Sequence, residues 1–146
     1  MPSSTSSAAG GSSCDLREVV TEAVDLVAPG GCCVVDLPED TRLGVPPVLA
    51  LRALTPLVEN ATRLGEHVQI SAAAGSAGSV SIRVDDDGPG VEASRRESIF
   101  SPGHTTGPGS GLGLALSRRI ARSLGGDVTL DIDHPTTRFV LRLPQA

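Results

Sequence analysis

Apolar positions recur along this chain in two rhythms, and the switches between them lay out its elements. From Asp15 onward, Leu16, Val19, Val20, Ala23, Val24 and Val27 fall at helical spacing; Asp15 and Glu18 are placed to form a capping pair, and Pro29-Gly30-Gly31 ends the run. Cys32 to Leu37 is short and β-branched, as a strand is. Beyond Pro46 and Pro47, where a helix can begin, Val48, Leu51, Leu54, Val58 and Ala61 mark a second helical stripe. Pro56 interrupts it, so this helix either kinks or restarts with Thr55 as cap and Pro56 in first position. Period two then takes over: Val68, Ile70 and Ala72 alternate, Gly75 to Gly78 turns, and Val80, Ile82 and Val84 alternate again as the partner strand of an antiparallel hairpin. Glu92 to Phe100 holds room for a short helical turn, and Ser101 to Gly109 reads as a loop. Ala115 to Leu124 returns to helical spacing before Gly125-Gly126. A last hairpin sets Val128, Leu130 and Ile132 against Phe139, Leu141 and Leu143, with its turn at His134-Pro135. The sum is an α/β chain: a two-layer α/β sandwich whose mixed, mostly antiparallel sheet packs against about three helices.

Composition narrows the function. The first 14 residues are rich in Ser, Gly and Ala and read as a flexible tail or linker, leaving 15–146 as one domain. A net charge of −5 argues against a nucleic-acid surface, which has to neutralise phosphates. Phe100 and Phe139 are the only aromatics, so the core is aliphatic and base-stacking platforms are lacking. Three cysteines, two of them adjacent, suit neither a disulfide framework nor a zinc site, and fit a reducing cytoplasm. No stretch of the chain is long and apolar enough for a membrane span.

Three polar features stand out from this background. The first is Gly107 to Leu114, with four glycines in seven residues ahead of a helix. A flexible loop at a helix N-terminus, where N–H groups lack partners and the peptide dipoles add positive charge, suits a phosphate chain. A lysine-bearing phosphate loop is excluded, because all twelve basic residues are arginine. The second is Asp85-Asp86-Asp87-Gly88-Pro89-Gly90 at a strand end, where a carboxylate before a tight turn can accept from the exocyclic amine of a purine. Calcium is ruled out there, since an EF-hand register would place Arg83 and Ser94 at ligand positions. The third is Asn60, a neutral oxygen donor within an apolar helical stretch, with Arg63 one turn further on.

Together, LTPLVENATRLG ending at Gly65, VDDDGPGV, ESIFSPGHTT and GPGSGLGLALSRRIARSLGGDV resemble, in order and spacing, the N, G1, F and G2 boxes of the catalytic, ATP-binding domain of bacterial sensor histidine kinases. That domain belongs to the superfamily that also holds gyrase and mismatch-repair ATPases, and the resemblance covers about Asp15 to Pro144. It implies ATP and Mg²⁺ as ligands. Asn60 matches the Mg²⁺-coordinating asparagine and Arg63 the basic residue that meets phosphate. Asp86 matches the adenine-binding aspartate, with Gly88 and Gly90 shaping the pocket floor and Thr137 supporting the aspartate. Phe100 matches the first F-box aromatic. Gly109, Gly111 and Gly113, with Leu112 and Leu114, match the segment that folds over the triphosphate.

The sequence departs from the family pattern at several positions. Proline stands at 56, where water-activating ATPases carry a glutamate; Leu64 replaces an aromatic often found beside the adenine, and Gly103 a second F-box phenylalanine. With no lysine in the lid, positive charge falls to Arg118 or Arg63, and nucleotide affinity is expected to be weak. None of His67, His104 and His134 has the context of a phosphoacceptor. The resemblance therefore implies a cytoplasmic, monomeric catalytic domain that does not autophosphorylate alone. Its partners are a histidine-bearing dimerisation domain of a parent kinase and, through that domain, a response regulator. A nucleotide-gated interaction module and an anti-sigma-factor serine kinase are the alternatives that share the fold.

Overall fold

The computed structural model describes residues 13–30, 33–75, 78–96, 98–100 and 113–146. Within them, β1 (Cys14–Asp15) leads directly into α1 (Leu16–Val27). The Asp15 carboxylate caps this helix by accepting from the Arg17 N–H at 2.8 Å. Glu18 adds only its charge to the first turn, so the expected reciprocal pair is one-sided. The folded region starts ahead of the composition shift at Asp15, because Cys14 is buried and pairs with Leu43 of β3 (Arg42–Leu43) in a small antiparallel ribbon. β2 (Cys33–Asp36) is shorter than the apolar run suggests; Cys32 lies outside the described residues, and Leu37 is buried beyond the strand end.

Helix α2 (Pro47–Leu64) is continuous through Pro56. Thr55 does not cap a second helix; its hydroxyl donates back to the Leu51 carbonyl at 2.7 Å. An interior proline costs about 3 kcal/mol. Burial of Leu54, Leu57 and Val58 on the same face contributes about 1.5–3 kcal/mol each, which decides in favour of one helix. The inward stripe is rotated from the expected one: Ala50, Ala53, Leu54, Leu57, Val58 and Ala61 are buried, whereas Val48 is 55% exposed.

The sheet has five strands in the order β2-β4-β5-β7-β6, where β4 is Val68–Ala74, β5 Ser79–Asp86, β6 Asp127–Leu130 and β7 Thr137–Pro144. Among the described residues, β2 and β4 run parallel and the other neighbours are antiparallel. The central hairpin has the register that its alternation implies, with Ile70 opposite Val84 and Ala72 opposite Ile82. Two single-turn helices, Ala93–Arg95 and Ser98–Phe100, fall where a helical turn is expected. Ile132 departs from the expected C-terminal hairpin. It is 58% exposed and outside the strand, because the Asp131 N–H bonds the Arg138 carbonyl and closes the hairpin one step earlier.

Helices α1, α2 and α3 (Gly113–Ser123) cover the apolar face of this sheet, giving the two-layer sandwich. Helix α3 locks onto α2 through the fully buried Ser117, whose hydroxyl donates to the Ala53 carbonyl. It ends at Gly125, whose φ of +88° is the left-handed conformation that glycine favours. The chain then passes so close to β7 that a Cβ on Gly126 would sit 1.7 Å from the Arg142 carbonyl oxygen. Gly126→Ala is accordingly expected to destabilise the domain by about 1–3 kcal/mol through forced backbone displacement. Urea unfolding followed by circular dichroism measures this, and an unchanged midpoint would refute it.

Candidate nucleotide site

The site is built at the C-terminal end of β5. Val80, Ile82, Val84 and Asp86 occupy its core-facing positions in turn, so the last apolar slot of the strand holds a carboxylate. Strand alternation turns Asp85 the other way, where it takes the Arg138 guanidinium from β7 in two hydrogen bonds of 2.7 and 2.9 Å. Asp87 lies past the strand end. Its Oδ1 accepts from the N–H groups of Glu66 (2.8 Å) and His67 (3.0 Å), and its Oδ2 lies 2.7 Å from His67 Nδ1. Three consecutive aspartates thus have three tasks, and the pattern of the sequence alone does not separate them.

Asp86 is 3% exposed. Its Oδ1 accepts from the Gly88 N–H at 2.8 Å, while Oδ2 is buried with no partner among the described residues. A buried acceptor left unpaired costs about 1–3 kcal/mol, so a donor from a ligand is the natural completion. Burial pushes the Asp86 carboxyl up from its ordinary range, the Gly88 N–H opposes this, and the charges of Asp87 and Asp85 add to the rise. Thr137, also buried, stands directly across the ladder from Asp86.

Helix α2 crosses this loop at close range. A Cβ on Gly88 would lie 2.6 Å from the Leu64 carbonyl oxygen, and one on Gly65 would lie 2.7 Å from Asp87 Oδ1. Gly65 is a site-shaping residue that the sequence pattern leaves looking like a helix terminator. One turn back, Asn60 is 7% exposed, and its Oδ1 accepts from Nη2 of the exposed Arg63 at 3.0 Å. The two residues expected at the metal and at the phosphates are therefore bonded to each other.

Gly109, Gly111 and Leu112 lie outside the described residues. Gly113 opens α3 as described, where a Cβ would stand 3.4 Å from Pro56 Cβ, and Leu114 packs partly buried against the core. Phe100 meets Phe139 edge to face with centroids 6.0 Å apart, and the Arg118 guanidinium lies 4.4 Å over the Phe100 ring. Arg118 also bonds Asp127 at 3.3 Å, so one of the two arginines offered for the lid has its contacts on Phe100 and β6. The signal for this link is the spacing of Arg118 and Arg122 on one face of α3, both reaching Asp127.

A mixed sheet covered by helices on one face, with an unpaired buried aspartate at a strand end and an asparagine on the helix crossing it, defines a nucleotide-binding α/β sandwich. The chain belongs to the family of histidine kinase-, DNA gyrase B- and HSP90-like ATPases, whose model matches residues 46–146. It is similar to the sensor histidine kinase GtrS of Pseudomonas aeruginosa, at 40% identity over 68% of this chain and 22% of that protein. It is also similar to the sensor-type histidine kinase PrrB of Mycobacterium tuberculosis, at 40% identity over 83% of this chain and 26% of that protein. The chain thus spans about a quarter of the length of these relatives. Full-length ShkA, solved in complex with AMPPNP, superposes with a TM-score of 0.78 at 25% identity, over 91% of this chain and 30% of that one. Within the family, the chain is a histidine-kinase-type catalytic ATPase domain.

The ion pair beside the site has a defined pH range. Asp87 is held down to about 2, first by the His67 N–H and then by the His67 side chain, whereas His67 is raised above 6.5, chiefly by its hydrogen bond to Asp87. The Asp87 contribution is present above 3.8 and lost as pH falls toward about 2; the His67 contribution is present below 6.5 and lost as pH rises through its raised value. Titration of His67 by NMR should give a pKa above 6.5 that returns to the value of an exposed histidine in Asp87→Asn. Identical titrations in the two proteins would refute the pairing.

Proposed function

We propose that this chain binds Mg²⁺-ATP at the β5–α2 junction and donates the γ-phosphoryl group to a histidine on a separate dimerisation domain. The observation that carries this reading is the buried Oδ2 of Asp86, unpaired among the described residues, which would accept from the exocyclic amine of adenine while Oδ1 is held by Gly88. Thr137 stands across the ladder from Asp86, and Phe139, buried two residues further along the same strand, packs in the core beside it. The Asn60 amide oxygen is the hard, neutral donor that would hold Mg²⁺, with phosphate oxygens and water completing the shell. That ion would supply charge neutralisation on the phosphates. Arg63 would face the phosphate chain, and Gly109, Gly111, Leu112, Gly113 and Leu114 would line its cover.

In the transfer the bond from the γ-phosphorus to its bridging oxygen breaks, ADP leaves with that electron pair, and an imidazole nitrogen of the acceptor forms the new P–N bond. The protein contributes position and electrostatics to this step. Pro56 offers no base for activating water, which favours transfer over hydrolysis. Of the histidines described, His67 is paired with Asp87 and His134 is bound within the β6–β7 turn; His104 lies outside the described residues, and this reading takes the acceptor to be on another domain. The parent is a cytoplasmic or membrane-anchored sensor acting on a response regulator, and this domain is a monomer within it.

Calorimetric titration of ATP tests this, since the chain has no Trp or Tyr for fluorescence. Binding should be weaker than micromolar, vanish in Asp86→Ala and lose its dependence on Mg²⁺ in Asn60→Ala. Added ATP should then phosphorylate a separately supplied histidine-bearing helical hairpin and leave this chain unmodified. A folded wild type that binds no nucleotide would overturn the reading in favour of an interaction module that keeps the boxes as scaffold.

A further inference from the structure

Arg63 is exposed on the last turn of α2, with Glu59 four residues before it at the spacing that favours a helix-surface ion pair. Among the described residues, the contact it makes is instead with a neutral oxygen, Oδ1 of the buried Asn60. A guanidinium and a divalent cation on one amide oxygen would stand as close like charges. Occupation of that oxygen by one therefore opposes occupation by the other.

From this geometry, and resting on the nucleotide-site reading above, we infer that Arg63 is a latch on the metal-ligand oxygen. In the nucleotide-free domain its guanidinium holds Oδ1 of Asn60, and it crosses to the phosphates only when a divalent cation takes that oxygen. Arg63 is thus a positioning residue as well as a phosphate contact. While the latch is closed, the metal position carries a positive charge and disfavours a free cation. When the cation arrives with the triphosphate and takes Oδ1, the displaced guanidinium is released toward the phosphate oxygens. Metal occupancy and phosphate grip are thereby tied together through a single side-chain oxygen.

The test is calorimetry on the full chain with a non-hydrolysable ATP analogue, in EDTA and in Mg²⁺. In EDTA, Arg63→Met should bind within about twofold of wild type, since the latched arginine is not on the phosphates, whereas in Mg²⁺ it should bind roughly fivefold more weakly. Asn60→Ala frees Arg63, so affinity in EDTA should rise roughly fivefold, and the double variant should lose that gain. In NMR of the wild type, the Arg63 Nε–H resonance should move when the analogue is added with Mg²⁺ and stay in place when it is added with EDTA. An equal penalty for Arg63→Met in both conditions, unchanged or weaker EDTA binding by folded Asn60→Ala, or a metal-independent movement of the Arg63 resonance would each overturn the latch. Absence of binding by the wild type, or binding that survives Asp86→Ala, would instead sink the nucleotide site itself.

Discussion

The close crossing of the C-terminal end of α2 over the end of β5 is the contact on which the site depends. Neither Gly65 nor Gly88 leaves room for a Cβ, and the Asp87 carboxylate ties the segment after α2 to the segment after β5. This contact sets the distance between the strand that carries Asp86 and the helix that carries Asn60 and Arg63. The two ends of the candidate site, Asp86 on β5 and Asn60 with Arg63 on α2, therefore sit on different elements held in a fixed relation. Moving either glycine's backbone to admit a side chain would alter both ends together.

The sheet makes such a site possible by continuing its inward alternation one residue too far. Three apolar side chains of β5 fill the core, and the fourth position, at the edge of that core, is a carboxylate. Burial without a full set of partners is unfavourable for Asp86 in the free protein, and its raised pKa is the electrostatic record of that. The surrounding structure holds the arrangement. Asp85 and Arg138 brace the ladder from the opposite face, and Phe139 with Phe100 and Arg118 links β7 to α3.

Period and turn chemistry were enough to read the helices, the central hairpin and the sandwich, because these elements bury one face and their side chains must obey it. The misreadings fall where local signals compete with tertiary packing. Thr55 and Pro56 look like a helix start, yet the burial of Leu54, Leu57 and Val58 carries the helix through. Ile132 keeps the beat of a strand but lies beyond the hydrogen bond that closes the hairpin. Asn60, Arg63, Asp86, Gly88 and Thr137 were singled out through their motifs; Asp86, Gly88 and Thr137 lie together at the end of β5, and Asn60 and Arg63 sit near the end of the helix that crosses there. Long-range relations were not legible: the grip of Asp87 on His67, the need for glycine at 65, the engagement of Arg118 by Phe100, and the bond between Arg63 and Asn60.

The parallel pairing of β2 with β4 has a geometric corollary. Two parallel neighbours joined through an intervening helix form a crossover, and α2 is the helix of that crossover. In a sheet covered by helices on one face, such a connection brings the chain back through the layer in which α1 and α3 also lie. The side of the sheet on which α2 lands, and with it the side on which Asn60 lies, is thus set by the path of the connection before it is set by side-chain chemistry. The same motifs in the same order, with the connection run across the other face, would put Asn60 and the core-facing Asp86 on opposite sides of the sheet.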